Sequence, residues 1–100
     1  MPPCLTVLMP IYNERNTLPL LLERVRAVPI EKEILLVDDA STDGTTAYLK
    51  ESVEGKFPNV HVLYHTQNQG KGAAIRTAIP HATGSLSIVQ DGDLEYDPND

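Results

Sequence analysis

The chain has 100 residues, 41% hydrophobic and 22% charged, a balance typical of a single small globular domain rather than a disordered segment. Its formal net charge is -6 and it has no run of Lys or Arg, which argues against nucleic acid as a partner. A single cysteine (Cys4), no signal-peptide pattern and no stretch near the roughly 18 apolar residues of a membrane span together predict a cytoplasmic location.

Short apolar runs alternate with segments of helical periodicity along the whole chain. In chain order, the pattern predicts a strand at Leu5–Met9, a helix from Leu18 that ends before Pro29, a strand at Glu33–Val37, a helix from about Thr45 to Val53, a strand at Val60–Tyr64, a helix from Gly70 to Gly84 that Pro80 truncates or kinks, and a strand at Ser85–Gln90. Because these strands are almost continuously apolar, both of their faces should be covered. The prediction is an α/β fold with a Rossmann-like, open, mainly parallel sheet and helices on both faces.

The unusual polar stretches all follow predicted strands: Pro10–Glu14, Asp38–Asp39, Gln67–Lys71 and Asp91–Glu95. In an open parallel sheet these four places share the carboxyl edge, where ligands bind. The chain is therefore expected to carry a ligand site at that edge.

The last of these stretches contains the pattern Asp91-Gly92-Asp93, followed by Glu95. Two carboxylates one residue apart at a strand end point the same way, and Gly92 permits a sharp turn or a close ligand approach. Hard divalent cations such as Mg²⁺ or Mn²⁺ take oxygen ligands and complete their shell with substrate phosphates. A solvated acidic loop is the alternative, but a metal site explains the spacing better.

The stretches after the second and third strands are more ambiguous. Asp38-Asp39 could be a turn that caps the next helix, or one carboxylate could accept hydrogen bonds from a ligand base or sugar. The segment Gln67–Gly72 matches no complete phosphate-loop pattern, so a tight turn is favoured over a phosphate cradle, with the helix N-terminus mildly attractive to anions.

The stretch after the first strand also allows two interpretations. Asn13 or Asn16 could be the helix N-cap, with Glu14 in the positive first turn. Alternatively, the stretch forms a wall of a nucleotide pocket, to which Tyr12 contributes a flat face. The histidines His61, His65 and His81 lack ligand spacing, so surface or strand-end roles are expected for them.

Four motifs in order carry a family resemblance: Pro10–Glu14, Val37–Thr45, Asn68–Gly72 and Gln90–Pro98. Together they resemble family 2 glycosyltransferases, and most of all the branch that includes dolichyl-phosphate mannose synthases and related polyprenyl-phosphate sugar transferases. The resemblance covers essentially the whole chain.

The resemblance implies the N-terminal part of a GT-A fold that binds a nucleotide-sugar. By this analogy Pro10, Tyr12, Glu14 and Val37 line the nucleoside pocket, and Asp39 holds the base or ribose.

The D-x-D motif would belong to the same donor site. Asp93 would be the direct ligand of Mg²⁺ or Mn²⁺, with Asp91 and Glu95 as neighbouring ligands, and Gly92 and Lys71 would also contact the donor. The metal would bridge the donor phosphates, and the sugar would be transferred with inversion.

Residues 1–100 are accordingly predicted to be the nucleotide-sugar-binding part of a glycosyltransferase domain that is truncated after the D-x-D motif. The general base and the acceptor-binding groups would lie beyond Asp100, so this chain alone should have little activity. The expected acceptor is a polyprenyl phosphate at the cytoplasmic face of a membrane. Surface left uncovered by the truncation could drive homo-oligomerisation.

Other protein classes are alternatives to this interpretation. The fragment could act as a nucleotide- or partner-binding module without activity. A D-x-D phosphatase of the haloacid dehalogenase type would carry its motif on the first strand rather than after the fourth. A receiver domain would need an aspartate after a later central strand, where this chain has His65-Thr66.

Overall fold

A computed structural model describes residues 5–90 and shows four strands and three α-helices in strict alternation, with one short 3₁₀ helix. In chain order they are β1 (Leu5–Ile11), α1 (Leu18–Ala27), β2 (Lys32–Asp38), α2 (Thr45–Ser52), β3 (Val60–Tyr64), α3 (Lys71–Ala78), the 3₁₀ helix (Ile79–His81) and β4 (Leu86–Val89). The order of elements agrees with the pattern of apolar runs. The third helix is shorter than predicted, because the chain leaves the α-helix just before Pro80 and continues as the 3₁₀ turn.

The four strands form one sheet in the order β3-β2-β1-β4, and every neighbouring pair is parallel. β1 is longer than predicted and includes Pro10. The Leu8 carbonyl accepts the Gln90 N–H and therefore faces the β4 side of the strand. Pro10 is two residues further along β1, so its nitrogen faces the same side, beyond the end of β4. The missing N–H therefore leaves the β1–β2 ladder uninterrupted.

The helices cover the sheet from both sides, which confirms the predicted fold class. Alternate residues of β1 and β2 pack with α1 and α2 in a buried cluster on one face: Val7, Met9, Ile11, Leu18, Leu21, Leu22, Ile34, Leu36, Leu49, Val53 and Val60. The intervening residues pack under α3 on the other face: Leu8, Leu35, Val37, Ala74 and Ala78. Two-sided burial explains why the central strands are apolar at almost every position.

A buried carboxylate joins the strands at the amino edge of the sheet. Glu33 is 5% exposed and accepts hydrogen bonds from the Thr6 hydroxyl at 2.8 Å and from both the N–H and the hydroxyl of Thr83. The next N–H, that of Gly84, donates to the Thr6 hydroxyl at 2.9 Å. A Cβ at Gly84 would lie 2.7 Å from the Thr6 nitrogen, so this close approach requires glycine.

β4 is the least covered strand of the sheet. Leu86, Ile88 and Val89 are 68%, 47% and 46% exposed, whereas β1 and β2 are buried along nearly their whole length. Within the described residues β4 pairs with β1 alone. None of the helices in this range is long and apolar enough to cross a membrane.

The Glu33 network predicts a pH-dependent contribution to stability. Burial by itself would raise the pKa of Glu33, but the hydrogen bonds from Thr83 and Thr6 and the nearby His61 outweigh it and lower that pKa. A lowered folded-state pKa means that the ionised form stabilises the fold above the unfolded pKa of about 4.3, and that this stability is lost as the pH falls through the folded value.

We therefore expect Glu33→Gln to reduce the free energy of unfolding at pH 7 by about 1–3 kcal/mol, since the amide cannot accept from all three donors. The difference from wild type should shrink as the pH falls below about 4.3. Denaturant titrations from pH 7 to pH 2.5 measure this, with the exposed Glu51→Gln as the matched control. A difference that stays constant with pH would contradict the assignment.

Candidate functional site

The strand order places a topological switch point at the carboxyl edge of the sheet. From β1 the chain moves outward to β2 and β3, then returns through α3 to the opposite side of β1 as β4. Ligands of open α/β sheets bind in the crevice that forms where the order reverses, outside the strand ends. Tyr12, 45% exposed, directly follows β1 at this edge, and Gln90 directly follows β4.

Asp38 is the last residue of β2 and Asp39 directly follows it, and their side chains lie on opposite faces of the sheet. Asp38 is 1% exposed and accepts bonds from the Ser41 N–H at 3.1 Å, the Ser41 hydroxyl at 2.6 Å and the Thr46 hydroxyl, all on the side of α2. Successive side chains alternate across a strand, so Asp39 turns towards α3. One of the two carboxylates therefore orders the β2–α2 loop, as the turn interpretation expected.

Asp39 orders the loop that precedes α3. One carboxylate oxygen, Oδ1, lies 2.8 Å from His65 Nδ1 and accepts the Gln69 N–H at 2.8 Å, and the other, Oδ2, accepts the Gly70 N–H at 2.8 Å. A carboxylate has about four lone-pair positions, so one acceptor position on Oδ2 remains. Burial would raise the pKa of Asp39, but the bonds from Gln69, His65 and Gly70 lower it, so the group is ionised at neutral pH.

His65 connects this carboxylate to α3. Its Nε2 lies 2.8 Å from the hydroxyl oxygen of Thr77, in the last turn of that helix. The His65 side chain is 6% exposed and directly follows β3, so of the two roles that the sequence suggested it has the strand-end role and not the surface role. The informative signal was its place directly after β3, which puts it at the same sheet edge as Asp39.

The β1–α1 loop is attached to the β2–α2 loop by side-chain acceptors. Three consecutive N–H groups donate to that loop: Asn13 to Ser41 Oγ at 2.9 Å, Glu14 to Thr45 Oγ1 at 3.1 Å and Arg15 to Asp43 Oδ2 at 3.2 Å. In return, the Thr42 N–H donates to Asn13 Oδ1 at 2.7 Å. These contacts fix the backbone that follows Tyr12 and Asp39, so the two loops form one wall of the edge.

The N-cap prediction for α1 is wrong. The helix begins at Leu18 with Thr17 at the N-cap position, and Asn13 instead adopts a φ of 52° and binds the neighbouring loop. Glu14 stands ahead of the helix: its carbonyl accepts the Leu18 N–H, and its carboxylate accepts the Thr17 hydroxyl at 2.9 Å. Competition from the β2–α2 loop for these polar groups is a tertiary effect that local pattern does not reveal.

The other residues expected at the donor site differ in accessibility. Pro10 is buried within β1, and Val37 is 1% exposed under α3, so both can only underlie a pocket. Lys71 is exposed as the first residue of α3, after the turn at Gly70, whose φ of 96° favours glycine.

The predicted metal ligands Asp91, Asp93 and Glu95, together with Gly92, lie outside the described residues. Among residues 5–90, no group of three or more His, Cys, Asp or Glu side chains is placed to hold a metal ion. A cleft of about 620 Å³ lies away from the switch point, beside β3 and the loop before it, and is lined by Glu33, Phe57, His61 and His81 among others. Because ligands of open α/β sheets bind at the switch point, this cleft is a weaker candidate than the carboxyl edge.

Solved structures with this fold have been determined with nucleotides bound. A mannosyltransferase from Pyrobaculum calidifontis, PcManGT, in complex with GDP-Man and Mn²⁺, superposes with a TM-score of 0.81 at 32% identity, over 93% of this chain and 28% of that one. S. aureus TarS in complex with UDP superposes with a TM-score of 0.78 at 27% identity, over the same shares. These similarities confirm the predicted GT-A architecture.

Relatives of known function are similar over nearly the whole chain. Two undecaprenyl-phosphate 4-deoxy-4-formamido-L-arabinose transferases are 36% identical over 99 residues (Klebsiella pneumoniae) and 34% identical over 101 residues (Pseudomonas fluorescens). The chain spans about 30% of the length of each of these relatives. Residues 6–100 also match the sequence model of glycosyl transferase family 2. The chain therefore belongs to glycosyl transferase family 2.

Proposed function

We propose that this chain forms the donor-binding part of a glycosyltransferase that transfers a sugar from a nucleoside diphosphate to a polyprenyl phosphate, with inversion. The observation that carries the proposal is the switch point at the carboxyl edge, where the ionised Asp39 and the exposed Tyr12 follow neighbouring strands. Structures of the same fold that were solved with GDP-Man and with UDP support a nucleotide at this edge.

The nucleoside would bind between the loops that follow β1 and β2. Asp39 Oδ2 would accept an N–H of the base or a ribose hydroxyl, and the ring of Tyr12 would offer a flat apolar face. Pro10 and Val37 would form the packed floor, and Glu14 would hold the first loop in place through its bonds with Thr17 and Leu18.

The diphosphate would bind towards the residues that follow β4. Asp91, Asp93 and Glu95 supply the carboxylate oxygens that Mg²⁺ and Mn²⁺ prefer, so this donor set fits such an ion. When bound, a divalent ion would neutralise the charge of the departing nucleoside diphosphate. Gly92 would allow the phosphates to approach the backbone, and Lys71 at the start of α3 would add a positive charge.

The acceptor is proposed from the names of the relatives. The transferases from K. pneumoniae and P. fluorescens act on undecaprenyl phosphate according to those names. We propose that the complete protein works at the cytoplasmic face of a membrane, with the general base and the acceptor contacts outside residues 1–100. For the chain itself, donor binding without transfer is the corresponding expectation. A D-x-D phosphatase is set aside because the chain matches the glycosyltransferase family.

A thermal-shift panel of GDP, UDP and their sugar conjugates, with and without Mn²⁺, tests the donor site. One nucleotide at about 100 times its Kd should stabilise the chain by about 2.7 kcal/mol, a shift of several degrees for this size. The shift should require Mn²⁺ and disappear in Asp93→Asn, but persist in the control Asp100→Asn. A folded chain that responds to none of these nucleotides would contradict the proposal.

We also propose that the exposed β4 surface drives self-association of the isolated chain. Its strand edge is unpaired within the described residues and carries the exposed Leu86, Ile88 and Val89. Sedimentation velocity should show a mass that increases with concentration, and Ile88→Lys should restore the monomer. Ile79→Lys is the control, because Ile79 is 55% exposed but lies outside β4. A wild-type chain that stays monomeric at high concentration would contradict this contact.

A further inference from the structure

We propose that His65 is a positioning residue for the donor pocket: its ring, held by Thr77, keeps the Asp39 carboxylate in the orientation that binds the Gln69 and Gly70 amides. This inference rests on the proposed function and deepens it, because it names a residue on which nucleotide affinity should depend without contact with the nucleotide.

Two hydrogen bonds in series connect three side chains that are distant in sequence. Asp39 follows β2, His65 follows β3 and Thr77 lies in α3. The ring nitrogens of His65 are each 2.8 Å from an oxygen, Nδ1 from Asp39 Oδ1 and Nε2 from Thr77 Oγ1. The side chains of His65 and Asp39 are 6% and 5% exposed, so water competes little for these bonds.

The partners fix which ring nitrogen carries a proton. An ionised carboxylate only accepts hydrogen bonds, so His65 Nδ1 must donate to Asp39. In the neutral ring Nε2 then accepts the Thr77 hydroxyl proton, and in the charged ring Nε2–H donates to the same oxygen. Nδ1 therefore carries a proton in either arrangement of the bond to Thr77, and its bond to Asp39 is present in both.

The bond to His65 matters to the pocket because the same carboxylate also orders the loop. Its Oδ1 accepts both His65 and the Gln69 N–H, while Oδ2 accepts the Gly70 N–H and keeps the remaining acceptor position. Rotation of the carboxylate would break both amide bonds and move that acceptor. The ring of His65 resists the rotation because Thr77 holds its far side.

Replacing His65 would lower the stability of the chain even if the residue were only structural. The test therefore compares variants that keep either the bond to Asp39 or the reach to Thr77. His65→Asn places an amide N–H near the position of Nδ1 and keeps the donor to Asp39. His65→Gln extends towards Thr77 and gives up that donor, and His65→Leu removes both. Thr77→Val removes the hydroxyl and keeps the shape of the side chain.

The readout is the affinity for GDP or UDP, whichever the wild-type chain binds with Mn²⁺, measured by calorimetry on variants shown to be folded by circular dichroism. His65→Leu and His65→Gln should bind roughly tenfold more weakly, equivalent to about 1.4 kcal/mol. His65→Asn should recover most of the wild-type affinity. The affinity of Thr77→Val should fall between that of His65→Asn and that of His65→Leu.

Two spectroscopic readouts accompany the affinities. Amide hydrogen exchange at Gln69 and Gly70 should be faster in the variants that bind the nucleotide more weakly. The ¹⁵N spectrum of the His65 ring in the wild-type chain should show Nδ1 protonated.

The outcomes separate this inference from the proposed function. If the wild-type chain binds a nucleotide and folded His65→Leu binds it equally well, the positioning role alone is wrong. If His65→Leu does not fold, equal affinities of His65→Asn and His65→Gln overturn the positioning role instead, as does a neutral ring protonated at Nε2. If the wild-type chain binds neither nucleotide, the proposed function fails and this inference fails with it.

Discussion

The carboxylate of Asp39 is the interaction on which the carboxyl edge depends. Asp39 directly follows β2, a central strand that pairs with β1 and β3. Because successive side chains alternate across a strand, Asp38 faces one side of the sheet and Asp39 the other. Asp38 consequently orders the loop to α2, and Asp39 orders the loop to α3. Two consecutive acidic residues thus shape both sides of one crevice, although each lies against a different helix layer.

A buried carboxylate holds each edge of the sheet together. At the amino edge Glu33 is bound by Thr6 and Thr83, and Gly84 allows the chain to close tightly over β1. At the carboxyl edge Asp39 likewise accepts three bonds, but the exposed Tyr12 follows the neighbouring strand there. The switch point and the exposed Tyr12 distinguish the carboxyl edge, which is also where parallel sheets place their ligand sites.

The sequence predicted the features that depend on local periodicity and strand burial. The order of elements, the parallel sheet and the common edge of the polar stretches followed from continuous apolar strands, and β3 has the predicted bounds. The details that failed depend on contacts between distant residues. Asn13 was a candidate N-cap of α1 but binds the β2–α2 loop instead, because Ser41 and Thr42 lie opposite it in the fold. The contacts of His65 could not be predicted because its partners Asp39 and Thr77 are 26 and 12 residues away in the chain.

The most direct test of a donor site at this edge is a two-dimensional ¹⁵N–¹H spectrum of the chain during titration with the nucleotide that stabilises it, using Mg²⁺ as the diamagnetic metal. If the nucleotide binds at the carboxyl edge, the largest amide shifts should fall at Tyr12, Asn13, Asp39, Ala40 and the Gln67–Lys71 loop. The amides of Thr6, Thr83 and Gly84 at the amino edge should stay in place. Shifts concentrated in the cleft beside His61 and Phe57, with the carboxyl-edge amides unmoved, would contradict a donor site at the carboxyl edge.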